Sequence, residues 1–172
     1  MAERAPTQAE LEASVVRFRD LAKRKSPFRP KDMLLERFDR ERYAVIGRPA
    51  EGSTTGSSAE VKAFSVVYLR CEAGKGLAAH AHASSEVFIV MSGRWELDVQ
   101  GTKTVLEPFD VVSVTPDAMH SARNISNGPA FMMTINEGQR GAPIRFDPAI
   151  LAELRAAGHQ VPDLEYPPGP RT

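Results

Sequence analysis

From Tyr43 to Glu137 the chain runs in short segments whose apolar residues recur at every second position, and this pattern constrains the fold more than any other feature. "YAVIG", "VKAFSVVYLR", "SEVFIVMSG", "RWELDVQG", "KTVLEPFD", "VVSVTPDA", "MHSARNIS" and "PAFMMTINEG" follow one another with turn signals between them. Side chains alternate across a strand, so such segments build sheets with one buried and one wet face. Trp95, Leu97 and Val99 alternate with Arg94, Glu96 and Asp98 in this way. Many short strands without intervening helical patterns predict an antiparallel sandwich or barrel rather than strand–helix–strand units. With no internal repeat, one barrel is expected and not two.

The two ends follow a different period. Thr7 and Glu10 form a capping-box pattern, and Leu11, Val15, Phe18 and Leu21 or Ala22 recur at helical spacing, which predicts one helix over 7–25. Lys23, Arg24 and Lys25 complement its negative end, and "SPFRP" stops it. A second short helix or turn is expected around Lys31–Phe38. Near the other end, Asp147, Pro148 and Gly158 mark the cap, first position and end of a helix, followed by the proline-rich "VPDLEYPPGPRT". The expected division is an N-terminal helical extension over 1–40, a β-barrel over 41–138, and a C-terminal helix and tail over 139–172.

Basic and acidic residues number 22 each in the 172-residue chain, so nothing global points to nucleic acid or an anionic membrane. One good helix and a doubtful second, split by "SPFRP", also make a poor DNA-reading unit. Cys71 is the only cysteine, which rules out an intrachain disulfide. "MAERAPTQAELE" lacks the apolar core of a signal peptide, and no apolar run reaches the ~20 residues of a membrane span. A cytoplasmic location is expected.

"GKGLAAHAHASSEVFIVMSG" carries the chemistry. His80 and His82 sit two apart, so on a strand they share a face. They are either solvent-facing on an edge strand or directed inward, where two neutral imidazoles need partners. Glu86 follows after "ASS", in the same parity as Phe88 and Val90 on an apolar strand. A carboxylate there is costly to bury unless it is paired or bound to a cation. His120 stands after another turn, in "VSVTPDAMHSARN", so three of the four histidines and one glutamate can converge across an antiparallel barrel. His159, after Gly158, is expected to be exposed and uninvolved.

These residues resemble the cupin family. Its first motif, a glycine, five residues, His-x-His, three or four residues, Glu, six residues and Gly, is matched by Gly74, His80, His82, Glu86 and Gly93. In its second motif Asp110, His120 and Asn124 keep their places, while Phe109, Thr115 and Asp117 stand where Gly, Pro and Gly are usual. The resemblance covers roughly Tyr43 to Glu137. It implies a mainly β fold, a double-stranded β-helix or jelly-roll barrel, with His80, His82, Glu86 and His120 as ligands of one divalent transition metal. Three imidazoles and a carboxylate suit Fe or Mn, and also Ni, Co or Zn, while Ca and Mg prefer oxygen shells.

Tyr68, Phe88, Val90, Trp95, Leu97, Met119 and Met132 are candidates for an apolar pocket around the metal, or for core packing alone. Arg70 is a further candidate for the mouth, since parity leaves the inner face of its strand undecided. Asp117 and Asn124 are candidates for supporting the ligands; Asp117 also suits a tight turn, because aspartate tolerates the left-handed region. Cys71 reads as buried packing, or as a redox or ligand thiol.

The leading expectation is a metal-dependent enzyme of oxygenase type acting on a small organic substrate. Isomerase, lyase or decarboxylase chemistry is the alternative, and so is a non-catalytic binding or sensing module. The apolar stripe Leu11, Val15 and Phe18 must bury somewhere, and a homodimer is expected.

Overall fold

The computed structural model describes residues 4–21, 30–47, 61, 63–138 and 143–162. Its elements in chain order are α1 (Gln8–Ala13), α2 (Phe18–Leu21), two 3₁₀ turns (Lys31–Leu34 and Glu36–Phe38), β1 (Glu41–Ile46), β2 (Phe64–Cys71), β3 (Gly76–Ala81), β4 (Glu86–Val90), β5 (Trp95–Val99), β6 (Thr102–Leu106), β7 (Val111–Val114), β8 (His120–Asn124), β9 (Ala130–Glu137), β10 (Arg145–Phe146) and α3 (Pro148–Ala156). The strands form two five-stranded antiparallel sheets, ordered β1-β2-β9-β4-β7 and β10-β3-β8-β5-β6. This is the mainly β, antiparallel architecture that the alternation predicts, in the jelly-roll form that the resemblance implies.

Both sheets feed one core. Leu69, Cys71, Phe88, Val90, Val114, Ala130 and Met132 come from the first, and Leu77, Trp95, Leu97, Leu106 and Ala122 from the second. Trp95, Phe88 and Met132 are fully buried. Each such side chain adds about 1.5–3 kcal/mol by leaving water, so this inner face fixes strand register.

The N-terminal segment departs from the single helix expected over 7–25. The capping box forms, Thr7 and Glu10 bonding each other's backbone N–H groups, but α1 ends at Ala13 and buries no residue. Ser14 donates its hydroxyl to the Leu11 carbonyl, and Val15 and Val16 are β-branched, both of which weaken a helix. The break lets Phe18 lie against Tyr43, Tyr68 and Phe131, at ring-centroid distances of 5.4, 6.1 and 5.8 Å. Leu21 joins Tyr43, Val45 and Val66 there, on the outer face of the first sheet. Lys23, Arg24 and Lys25 lie outside the described residues.

The C-terminal helix follows its signals. Asp147 accepts from the Ala149 N–H at 2.8 Å, Pro148 opens the helix, and Leu151 and Leu154 are buried. Just ahead of it, Arg145–Phe146 adds the short strand β10 to the edge of β3, which the sequence pattern did not reveal because two residues carry no period. Among the described residues no helix is long and apolar enough to cross a membrane.

Candidate metal centre

Three strands deliver the four candidate ligands to one end of the barrel. His80 on β3 lies directly opposite His120, the first residue of β8. His82 follows the end of β3, and the "ASS" turn then carries the chain across to the other sheet, where Glu86 opens β4. The two sheets thus face each other across the site, histidines on one side and the carboxylate on the other.

All four residues are buried, with exposures of 7% for His80 and His82, 5% for Glu86 and 2% for His120. One candidate donor atom from each lies within 4.8 Å of the others. The His80 and His120 rings are 4.3 Å apart, and His82 stands edge-on to His120 at 5.3 Å. Glu86 Oε2 is 2.9 Å from His82 Nε2 and 3.2 Å from His120 Nε2.

The other ring nitrogens fix the tautomers. Nδ1 of His80 faces the Ala78 carbonyl at 2.8 Å, Nδ1 of His120 the Ala118 carbonyl at 2.8 Å, and Nδ1 of His82 the Ser84 carbonyl at 2.9 Å. A carbonyl only accepts, so each Nδ1 carries the proton and donates it. Each neutral ring then presents an Nε2 lone pair to the centre, and two of these face a carboxylate oxygen that also only accepts. Such a contact needs an added proton or a cation between its atoms. The donor set and the backbone support behind it fit a divalent transition-metal ion.

Charge and burial pull the rings in opposite directions. Burial first, then the neighbouring His120, hold the His80 imidazole down at about 4. Burial also pulls His82 down, but the hydrogen bond and charge of Glu86 outweigh it and leave its pKa raised. Burial would raise the Glu86 carboxyl; hydrogen bonds from His120 and His82, with the charges of His120 and His80, instead hold it well below the ordinary range. The site therefore keeps Glu86 ionised and His80 neutral, the forms a cation requires.

The other sequence candidates separate. Phe88 packs edge-on against His120 at 5.6 Å, with Val90, Leu97 and Met132 behind it in the core. Trp95 pairs with Asn124, four residues along β8 from His120 and so about 13 Å away by strand rise. Asn124 therefore does not support the ligands: its amide donates to the Cys71 and Gly128 carbonyls and its oxygen accepts from the Ser126 N–H. Tyr68 faces outward onto Phe18, and Arg70, on the same face, pairs with Glu72 at 2.7 Å. The inner face of β2 is that of Leu69 and Cys71. Met119 is half-buried and of opposite parity to His120.

Asp117 is exposed at φ +62°, and its N–H donates to the His82 carbonyl at 2.8 Å. It is a turn residue whose carboxylate charge still raises the His82 pKa. Cys71 is fully buried and its thiol is pushed up to about 12 by burial. His159 is half-buried beyond α3 and outside the cluster.

Three neighbours were missed in the sequence. Asn136, opposite Glu86 on β9, donates its Nδ2 to Glu86 Oε1 at 3.0 Å. Its signal was present: it shares the parity of buried Met132 and Thr134, where a polar side chain needs a partner. The Ser84 hydroxyl lies 3.1 Å from His82 Nδ1, and Val99 stands opposite His120 on β5.

Residues 67–136 match the Cupin_2 family, described as a cupin domain. Similar solved structures include a cupin 2 domain-containing protein from Halorhodospira halophila, 25% identical over 72% of this chain and 83% of that one, with a TM-score of 0.53. Rru_A2000 from Rhodospirillum rubrum, a cupin-2 domain, is 17% identical over 69% of this chain and 73% of that one, with a TM-score of 0.51. A structure from work on the DMSP lyases RdDddP and RnDddQII is 17% identical over 63% of this chain and 52% of that one, with a TM-score of 0.52. None of the curated proteins compared matches the chain.

Proposed function

The chain carries a cupin domain, and we propose that it is a metal-dependent enzyme acting on a small organic substrate by oxygenase-type chemistry. His80, His82, Glu86 and His120 would hold one divalent ion, Fe or Mn in preference to Ni, Co or Zn. The observation that carries this reading is the convergence of Nε2 lone pairs on the Glu86 carboxylate, with every Nδ1 tied to a carbonyl. When bound, such an ion supplies a Lewis-acidic, redox-active centre with coordination positions left over for small ligands.

The surrounding residues orient and dry the site. Asn136 fixes the Glu86 carboxylate and Ser84 the His82 ring. Phe88 beside His120 and Val99 opposite it give the inner wall an apolar character that limits water. Among the described residues Glu86 is the one buried carboxylate in the cluster, and it faces the imidazoles as a ligand does. That favours chemistry in which activation comes from the ion and dioxygen serves as co-substrate.

Asp117 favours a second reading. Its carboxylate is exposed near His82 and would serve as the base of a metal-dependent isomerase, lyase or decarboxylase.

Elemental analysis of gently purified protein beside His120→Ala tests the proposal. Iron or manganese near one per chain, absent from the variant, together with substrate-dependent oxygen uptake, supports it. Zinc without oxygen uptake, and turnover abolished by Asp117→Asn, supports the second reading. Failure to retain any metal after reconstitution overturns both and leaves a small-molecule-binding scaffold. A homodimer is proposed alongside, on the 51% and 42% exposure of Leu11 and Val15; sedimentation at high concentration showing only monomer would defeat it.

A further inference from the structure

Asp32 and Arg40 precede the matched domain, yet both are buried, at 1% and 9% exposure. Arg40 grips the Asp32 carboxylate with two nitrogens, at 2.9 and 3.3 Å, and also donates to the Phe38 carbonyl at 2.8 Å and the Gly76 carbonyl at 3.4 Å. Apolar residues of similar volume often stabilise a fold as well as a buried ion pair does. Stability alone is therefore a weak reason for this pair, and its contacts suggest a sharper one.

Strand β3 contains a bulge. Leu77 pairs with Ala122 and His80 with His120, so Ala78 and Ala79 together stand opposite Ser121 alone. Leu77 faces the barrel core. Ala78 packs outward with Phe146 and Leu151, and Ala79 lines an outer groove with Ser121 and Ile150. Simple alternation from Leu77 would turn His80, and with it His82, to the outside. The extra residue reverses the parity and brings both imidazoles in.

A bulge leaves a backbone group without its ladder partner, and Asp32 supplies one. Its Oδ2 accepts the Ala78 N–H at 3.2 Å, and the Ala78 carbonyl in turn accepts from His80 Nδ1 at 2.8 Å. One residue, Ala78, thus joins the buried ion pair to the His80 ring through the two peptide units on either side of its Cα. We propose that Asp32, held by Arg40, is a positioning residue for the metal centre: it pins the Ala78–Ala79 bulge and thereby aims His80 into the barrel. This rests on the metal-binding reading, and it makes the segment before β1 a working part of the site.

Cobalt(II) affinity, measured by chelator competition, and the cobalt ligand-field spectrum test this. The double variant Asp32→Leu/Arg40→Met removes the pair without leaving a lone buried charge. It is expected to keep the wild-type far-UV circular dichroism, to lose about 10–100-fold in affinity, as supporting residues of metal ligands do, and to show an altered spectrum. Asp32→Asn/Arg40→Met retains an acceptor for the Ala78 N–H, again without a lone buried charge, and is expected to restore most of the affinity. In a His80→Ala background the double variant is expected to cause no further loss, because its effect runs through that ring.

Wild-type affinity in the folded double variant, or an equal loss with His80 already removed, would overturn the proposal. Should the double variant fail to fold, Arg40→Lys, which keeps the charge and removes the two-pronged grip, replaces it: a smaller loss confined to the His80-containing background supports the proposal, and none refutes it. Wild-type protein that binds no cobalt at all would refute the metal reading itself, a result distinct from a wild type that binds and variants that do not differ.

Discussion

Asn136 Nδ2 donates to Glu86 Oε1 at 3.0 Å, leaving Oε2 to face the Nε2 atoms of His82 and His120. The amide thus divides the carboxylate into one oxygen held and one oxygen offered. Asn136→Ala frees the carboxylate to rotate, and the expected result is a folded protein whose cobalt affinity falls by about 10-fold, the lower end for a residue that orients a ligand. Chelator competition checks it; an unchanged affinity would show that the turn alone orients Glu86.

Gly76 is closed to any side chain. A Cβ built there would stand 1.9 Å from the Ala122 carbonyl oxygen and 2.8 Å from the Arg123 Cα, both backbone atoms. Gly76→Ala must push β3 away from β8, the pair that sets His80 against His120. Overpacking of this kind costs about 1–3 kcal/mol, and a lowered urea midpoint with weakened metal retention is expected. A variant as stable as wild type would mean that the two strands part more easily than their contact suggests.

Phe88 serves two roles, as a fully buried core residue and as the ring beside His120. Phe88→Ala is expected to cost about 3–5 kcal/mol, measured by denaturant unfolding, while Phe88→Leu fills most of the space and retains the metal. If Phe88→Leu also lost the metal, the ring itself would be needed to hold His120.

Acid acts on the metal-free protein through its ligands. The His80 pKa is about 4 in the fold against 6.5 for the free group, so between these values the unfolded chain binds more protons. Its contribution to stability is therefore lost as pH falls from about 6.5 to about 4. Glu86, held low, contributes stability above its ordinary value of 4.5 that is lost on further acidification. His82, held high, contributes fully below 6.5 and does not offset the fall in that window. Urea midpoints are expected to decrease from pH 6.5 to pH 4, and a midpoint that rises would contradict the site geometry.

Burial raises the Cys71 thiol to about 12, so almost no thiolate exists at neutral pH. Native protein is expected to resist a thiol reagent at pH 8 and to react at once in denaturant. Rapid labelling of the folded protein would show that β2 opens locally.

The alternation from Tyr43 onward determined the strands, because a half-buried sheet needs period two and tolerates little else. The four candidate ligands were legible too, since His80, His82, Glu86 and His120 are residue types that seldom share an apolar setting without a partner. Local capping chemistry fixed the start of α1 and of α3. The tertiary structure decided what depends on chain segments meeting. It turned Tyr68 outward onto Phe18, set Asn124 at the far end of the barrel, and brought Asn136 across to Glu86. Parity counted along β3 could not reveal the bulge, because one added residue reverses every side chain beyond it. The order of residues along the chain supplied the groups; the pairing of distant strands, and the buried Asp32–Arg40 contact with β3, chose which of them face one another.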